Sequence, residues 1–504
     1  MINKIIRGAG GPPPTPPTPN RAPDTLNSRQ FASVQDLLSE GEIEGFATPS
    51  KAGLTKGTTA YNNAALKDIF LNNTPVLNAN ANNASPQTAD FNFQNVEFTP
   101  RFGTSSQEHI PGIESSQSTT AVGVTVTNSS PVTRQITNTA VDAAKVTITF
   151  PQLQKATDEG DLLGSSVNLK IQVQYNSGGF TDVINDTITG RTADAYQKEY
   201  RVSFTGSFPV DIRVVRVTAD STESNLVDAF TWTSISEIVD DKQRYLNSAY
   251  TNLRIDSEQF SSIPKRAFRI RGVKVRIPGA GASNSGTPTV DLQTGRIIYP
   301  SGYIFNGTMG AAQWCSCPAL ILLDLLTTER YGFGTHIKDS NLDLFSFIAA
   351  SKYANELVDD AFGGQEARFS CNVNIQGSTE AFTLINELAG VMRCFPIWSE
   401  GSVTISQDRP TDPSYLFSLA NVGEGGFSYS GSSLKQRHSI INVSYFNMDS
   451  REIDYEVVGD DITGENPLEE DIKRQLRLGI VKKDIKAFAC TSRGQARRLG
   501  KAVL

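Results

Sequence analysis

The clearest strand in the chain reads VNLKIQVQY, at residues 167–175. Apolar or aromatic side chains occupy every odd-numbered position along it, and polar side chains occupy every even-numbered one. Because successive side chains of a strand point to opposite faces, this alternation predicts an antiparallel strand that is buried on one face. The turn sequence NSGG follows at 176–179 and an apolar run resumes at Phe180, so we expect a β-hairpin here.

Short alternating runs of the same kind surround this hairpin. Residues 77–231 combine Asn, Ser, Thr and Gly with brief valine, isoleucine and phenylalanine alternations near 122–126 and 146–150. Strands this short and this closely spaced are typical of a β-sandwich. We therefore predict an inserted β-sandwich domain over 77–231.

Helical patterns begin near residue 308. Pro318 suits the first turn of a buried helix through LILLDLL, and further helical patterns cover 342–358 and 378–394. A strand-like stretch follows them, which together predicts an α+β domain. The last segment predicts a final helix that is capped by Ser492, with Gln495 completing a capping box.

The composition excludes several broad classes of protein. The 504 residues carry 46 Lys plus Arg against 53 Asp plus Glu, a formal net charge of −7. This balance provides no long-range field that attracts nucleic acid or anionic membrane. We also expect neither secretion nor a membrane span, because the N-terminus lacks a signal-peptide core and long apolar runs are absent. The length alone predicts about three domains.

Residue types that support catalysis are sparse. The five cysteines, an odd number, predict reduced thiols, and their spacing does not match a compact zinc site. Only three histidines are present, and no GxSxG nucleophile motif is found. The carboxylate pairs Asp256 with Glu258 and Asp359 with Asp360 are expected to be mainly structural. The sequence therefore predicts no enzyme, no metal and no cofactor.

A basic stretch, RAFRIRGVKVRI at 266–277, changes its alternation at Gly272. A β-bulge at this glycine would restore one apolar face and gather the cations on the other. The candidate site residues on that basic face are Arg269, Arg271, Lys274 and Arg276. The residues leave three interpretations open, in this order: a solvated face with local carboxylate partners, a contact with a neighbouring subunit, and a contact with nucleic acid. We carry the four cations forward as a candidate subunit-contact face.

A set of long strings with few interchangeable residues runs in order from about residue 30 to 500. They include SVQDLLSEGEIEG at 33–45, TPRFGTSSQEHIPG at 99–112, WTSISEIVDDKQRY at 232–245, DLLTTERYGFG at 324–334 and AFACTSRGQARR at 487–498. Together they resemble the lambda-type phage tip attachment protein J family, also called host specificity protein J or the tail central fibre protein. The chain departs from the family in its proline-rich arm, in the loop at 46–66 and at the C-terminus.

The resemblance implies a multidomain fold that is β-rich plus α+β, with barrel-like hub domains, an inserted β-sandwich and an α+β domain. Mapped onto this sequence, the parts are a proline-rich N-terminal arm at 1–30, a first barrel-like hub domain made of 31–76 and 232–300, the sandwich at 77–231, an α+β hub domain at 301–410, and a second barrel-like hub domain at 411–504 that is expected to continue beyond the given chain.

The resemblance also implies a non-enzymatic baseplate hub, a virion structural protein at the tail tip that is assembled in the host cytoplasm. It would join the distal tail tube to the host-binding tip and gate DNA passage during ejection. The implied partners are two identical copies in a homotrimer, the hexameric ring protein of the distal tail, other tail tip proteins, the C-terminus of the tape measure protein, genomic DNA in transit, and a host receptor through regions beyond residue 504. The alternatives are a carbohydrate- or receptor-binding fibre protein without a pore, and a tail-tip polysaccharide hydrolase.

Overall fold

The computed structural model describes residues 20–28, 31–113, 115–260, 262–376, 380–399, 401–418, 420–423, 425–431, 433, 437–460 and 468–504. Most of the predicted proline-rich arm, at 1–19 and 29–30, lies outside the described residues. The described end of the arm lies against the sandwich, where the side chain of Arg191 bonds Asp24 at 2.7 Å and the carbonyl of Ala22 at 2.8 Å.

The first part of the chain consists of short strands and two short helices. Their bounds are β1 (Phe31–Glu40), β2 (Ile43–Phe46), α1 (Ala47–Lys51), α2 (Thr59–Ala65), β3 (Ile69–Leu71), β4 (Thr74–Pro75) and β5 (Glu97–Phe102).

A β-sandwich follows. Its strands are β6 (Ser115–Thr125), β7 (Val132–Ile136), β8 (Ala143–Phe150), β9 (Gln154–Ala156), β10 (Leu162–Leu163), β11 (Ser165–Tyr175), β12 (Thr181–Gly190), β13 (Tyr196–Ser203), β14 (Val210–Arg216), β15 (Leu226–Val227) and β16 (Thr231–Asp240). Two four-stranded sheets, ordered β12-β11-β14-β7 and β13-β8-β16-β6, share one hydrophobic core.

The predicted central strand and hairpin are confirmed. In β11 the side chains of Val167, Leu169, Ile171 and Val173 are completely buried, and β11 pairs antiparallel with β12. Asn176 and Ser177 in the turn both have positive φ angles, which suits a tight hairpin connection.

The segments that lead into and out of the sandwich lie close together, since the side chain of Gln107 donates to the carbonyl of Ser248 at 2.8 Å. Strand β16 is hydrogen-bonded within the sandwich, although the predicted insertion ended at 231. Strand β5 pairs outside the sandwich, although the predicted insertion began at 77. The passages into and out of the sandwich therefore fall between β5 and β6 and just after β16.

The chain then returns to the first part and completes its sheets. The bounds are β17 (Ser248–Asp256), β18 (Arg266–Phe268), β19 (Ile270–Val273), β20 (Val275–Pro278), β21 (Thr289–Val290), β22 (Ile297–Ile298) and β23 (Met309–Gln313). The sheet orders are β1-β17-β5, β18-β3-β4, β19-β2, β20-β23 and β21-β22. None of these sheets closes on itself within the described part of the chain, and the barrel-like hub domains stay a prediction.

Helices dominate the next part. Its elements are α3 (Pro318–Thr327), α4 (Leu344–Ala354), β24 (Leu357–Asp359), β25 (Gln365–Ala367), α5 (Ala381–Val391), β26 (Cys394–Ser399) and β27 (Ser402–Gln407). Pro318 occupies the first turn of α3 as predicted, because that position needs no backbone N–H donor. Seven of the ten residues of α3 are buried, and six of these seven belong to the largest hydrophobic core, which lies between α3, α4 and α5.

The last part is a three-stranded sheet with two helices. Its elements are β28 (Ile440–Asn447), β29 (Glu452–Val458), α6 (Glu469–Leu478), β30 (Lys482–Lys486) and α7 (Arg493–Val503). The sheet order is β29-β28-β30, with β30 parallel to β28, and α7 packs against β28 and β29. The hydroxyl of Ser492 caps α7 as predicted, by accepting from the backbone N–H of Gln495. The side chain of Gln495 does not complete the capping box, because its Oε1 accepts from the backbone N–H of Ser370.

Candidate assembly surfaces

The basic stretch at 266–277 spans three different sheets. Strand β18 pairs with β3, β19 with β2, and β20 with β23. The pairing of β19 with β2 runs from Ile270 to Val273 without a register shift, so the predicted bulge at Gly272 is wrong. The pairing instead breaks at Lys274, where the chain passes from one sheet to the next.

The first two cations of this stretch lie in different surroundings. Arg269 donates to the fully buried carboxylate of Asp68 at 2.7 Å, and the same carboxylate accepts from Thr48. Burial raises the pKa of Asp68, and the hydrogen bonds from Thr48 and Arg269 oppose that shift. Arg271 is buried, donates to the carbonyl of Leu292 and stacks over the ring of Trp314 at 4.3 Å.

The other two cations pair with carboxylates of the same chain. The ammonium of Lys274 lies 2.7 Å from Glu42. The guanidinium of Arg276 donates to both carboxylate oxygens of Asp339, each at 2.8 Å. The structure therefore does not gather all four cations on one exposed face, because Arg271 is buried and the other three are paired. Their role at a subunit contact stays a prediction.

A surface that we did not predict lies on the outer face of the last sheet. The side chains of Ile453 and Tyr455 on β29 are 62% and 60% exposed. Phe446 on β28 lies opposite Ile453, and Val457 continues the same face of β29. We call Phe446, Ile453, Tyr455 and Val457 the outer apolar face. Contiguous exposed apolar side chains of this kind mark interaction surfaces.

The contacts on the opposite face of β29 explain why the outer apolar face points away from helix α7. Glu456 is only 3% exposed and accepts from Arg493 at 2.7 Å and from Arg497 at 2.6 Å, both on α7. A buried carboxylate needs such partners, since desolvation otherwise disfavours its charged form. The two arginines of α7 thus hold the polar face of β29 inward and leave the apolar face outward. The alternation at 452–458 was visible in the sequence, but the sequence does not say which face is covered.

Another exposed apolar group lies on the hairpin of β26 and β27. Phe395 and Trp398 are both largely exposed on this hairpin, and Phe382 is exposed on the neighbouring helix α5. Aromatic side chains of this size are enriched at protein interfaces.

The carboxylate pairs singled out in the sequence act within turns. Asp256 is buried and accepts from Asn95 and from the backbone N–H of Glu258. Asp360 accepts from the backbone N–H groups of Phe362 and Gly364, and these bonds lower its pKa. Carboxylates used in this way stabilise turns.

All five cysteines are free and buried, as predicted. Burial raises the pKa of Cys371 to about 12 and that of Cys490 to about 11. No group of three or more His, Cys, Asp or Glu side chains in the described residues is arranged to hold a metal ion. Among the described helices, none combines the length and the apolar character needed to cross a membrane.

Two segments of the chain are similar to family models of phage tail proteins. Residues 116–241 match the model described as "Tip attachment protein J, FNIII-A domain", and residues 380–504 match "Putative phage tail protein".

Two curated relatives extend the similarity to the whole chain. The chain is 29% identical to tip attachment protein J of Escherichia phage SECphi27 over 100% of its own length and 38% of the relative. It is 30% identical to tip attachment protein J of Escherichia phage SECphi4 over 96% of its own length and 39% of the relative. The chain thus spans about two fifths of the length of these relatives. A solved structure described as "CBM4 structure and function" overlaps 36% of this chain and 99% of its own at 12% identity, but its TM-score of 0.14 is too low to show a shared fold.

Proposed function

Because the chain is related over its whole length to tip attachment protein J, we propose that it is a structural protein of a phage tail tip that acts in host attachment. In this proposal three copies form the baseplate hub of a long-tailed phage, joining the distal tail tube to the host-binding tip. The passage between the copies admits DNA during ejection. The protein has no enzymatic role in this scheme.

The outer apolar face carries the proposal. It lies beside an open sheet edge, since β29 pairs only with β28 among the described strands. An unpaired edge next to exposed apolar side chains needs a cover, and closed symmetry with identical copies supplies one to every chain. Binding of a second strand to this edge would satisfy backbone groups and bury Ile453 and Tyr455 in one step.

The partners follow from the position of such a hub in the tail. We propose that the hub meets the hexameric ring protein of the distal tail on one side and other tail tip proteins on the other. The tape measure protein ends in its lumen before genomic DNA passes. We propose that contact with a host receptor is made by parts of the longer relatives that this chain does not match.

In this proposal, two arginines of the basic stretch contact a neighbouring subunit. The side chains of Arg269 and Arg276 are partly exposed although each has a carboxylate partner in the chain. Their remaining N–H donors are available to acceptors of a neighbouring subunit. Arg271 has no such role, because it is buried within the chain.

The mass of the assembly in solution tests the proposal. We expect native mass spectrometry of the 504-residue chain to give three times its mass of 54.7 kDa. Replacing Ile453→Ser and Tyr455→Ser together removes apolar side chains worth about 1.5–3 kcal/mol each when buried, and we expect the double variant to dissociate to single chains. The matched control is Val183→Ser, which removes an exposed valine from β12 and is expected to leave the trimer intact.

Two results would contradict the proposal. A wild-type chain that stays a single molecule at high concentration would rule out the trimeric hub, and glycan binding by that monomer would favour the fibre alternative. Turnover of a host polysaccharide that Asp256→Asn or Asp360→Asn abolishes would show an enzyme instead.

A further inference from the structure

A cavity of about 350 Å³ opens where the end of α4, the strand β25, the segment after β27 and the helix α7 meet. Four arginines line it, together with Tyr353 and one acidic residue, Asp408. The arginines are Arg368, Arg393, Arg409 and Arg498. This excess of cations over carboxylates at one cavity makes it a candidate anion site.

Two of these arginines are neutralised by carboxylates behind them. Arg368 pairs with Glu356 and Arg498 with Glu366, each at 2.8 Å. In the part of the chain that the structure describes, Arg393 and Arg409 form no ion pair. The cavity therefore sets four guanidinium groups against the carboxylates of Glu356, Glu366 and Asp408, which leaves an excess of one positive charge.

Aromatic rings hold the guanidinium groups in place. The guanidinium carbon of Arg368 lies 4.2 Å from the centre of the Tyr353 ring, and that of Arg409 lies 5.5 Å from the same ring. Arg393 lies 6.0 Å from the centre of the Phe369 ring. Arginines fixed in this way lose little side-chain freedom when they bind an anion.

Two of the arginines that line the cavity have a hydrogen-bond donor without an acceptor. Among the described residues, the Nε atoms of Arg368 and Arg498 are buried without a hydrogen-bond partner. A buried donor without an acceptor costs free energy, which an incoming acceptor recovers.

The backbone at Arg393 adds an independent observation. This residue follows the C-terminus of α5 with a φ of 55°, in the left-handed region where glycine is usual. Glycine there would relieve the backbone but would remove the guanidinium from the cavity. Strained conformations of this kind concentrate at functional sites.

We propose that this cavity binds a phosphate group, either free or as the monoester of a small molecule such as a sugar. The excess of positive charge and the guanidinium donors of Arg393 and Arg409, which form no ion pair among the described residues, suit a phosphate anion. A stacked base has no free partner here, because arginines already lie against the Tyr353 and Phe369 rings. The volume suits a small ligand and excludes a DNA duplex.

Isothermal titration calorimetry in a buffer without phosphate tests the proposal. We expect inorganic phosphate or glucose 6-phosphate to bind the 504-residue chain at low ionic strength, and the tighter of the two identifies the source of the phosphate. Arg393→Gln and Arg409→Gln are each expected to weaken binding about tenfold or more, since each removes charge-assisted hydrogen bonds. Neither substitution orphans an ion-paired carboxylate, so both variants should fold. Arg409→Lys keeps the charge without the planar fork and should retain part of the affinity.

The matched control is Arg477→Gln on α6, an exposed arginine that does not line the cavity, which should bind like the wild type. The proposal fails if neither phosphate compound binds at millimolar concentration, or if Arg477→Gln weakens binding as much as Arg409→Gln does. Tighter binding of an acidic peptide or of duplex DNA than of both phosphate compounds would also overturn it. These outcomes do not depend on the trimeric hub, because they are measured on the cavity of one chain.

Discussion

Arg276 and Asp339 form a bidentate ion pair between the basic stretch and the segment after α3, with two hydrogen bonds of 2.8 Å. The hydrogen bonds from Arg276 lower the pKa of Asp339 below its ordinary value of 3.8. Both side chains are more than one third exposed, so water screens the pair and its contribution is at most about 1 kcal/mol.

This pair predicts a defined pH dependence. Because the carboxylate has a lower pKa in the folded state than in the unfolded state, its stabilisation is complete above pH 3.8 and is lost as the pH falls through the folded-state value. We expect Arg276→Gln to lower the free energy of unfolding at neutral pH and to match the wild type at strongly acidic pH. Urea denaturation at both pH values measures the difference, and a difference that persists in acid would contradict the assignment.

The partners of single residues were the hardest feature to predict from the sequence. The cations at 269, 274 and 276 were visible, but their carboxylates lie at 68, 42 and 339, and only the fold brings them together. The burial of Arg271 under Trp314 depends on the same long-range packing. The four arginines that line the proposed phosphate-binding cavity come from separate segments between 368 and 498, so no local sequence motif could predict that they meet.

At the scale of elements, the packing of helix α7 against the last sheet depends on Gly500. A Cβ atom at Gly500 would lie 2.8 Å from Cγ2 of Val458 and 3.0 Å from Cγ2 of Val443 in the last sheet. Valine side chains are stiff, so they cannot move aside without strain. Close packing of α7 on the sheet therefore requires the missing side chain at this position.

Gly500→Ala and Gly390→Ala should change stability in opposite directions. Alanine at 390 meets no neighbouring atom and favours helix α5, so we expect a gain of about 0.5 kcal/mol. Alanine at 500 gains the same helix preference but overpacks the sheet, and we expect a net loss of about 1 kcal/mol. Chemical denaturation of both variants measures the two shifts, and equal stabilisation of both would show that α7 does not pack as described.

Elements with a strong local pattern were predicted well. Strand β11 and helix α3 follow directly from their alternation and from Pro318, because the hydrophobic period and the cap are local properties. The bulge expected at Gly272 was wrong because the stretch passes to another sheet at Lys274, so a single apolar face is not maintained along 266–277. The orientation of β29 was equally unpredictable, since it is set by Arg493 and Arg497 some 40 residues later.

At the scale of the whole molecule, the buried thiols report on unfolding. All five are buried and burial raises the pKa of Cys371 to about 12, so the reactive thiolate is almost absent near neutral pH. We expect iodoacetamide to leave the native protein unmodified and to alkylate all five cysteines once denaturant unfolds it. Intact-mass spectrometry counts the adducts, and rapid alkylation of any one thiol in the native state would contradict its placement in a core.

The inward carboxylate of Glu456 has a consequence for the chain in solution. A single chain displays a water-repelling stripe along β29, and we expect concentrated single chains to coagulate wherever nothing covers that stripe.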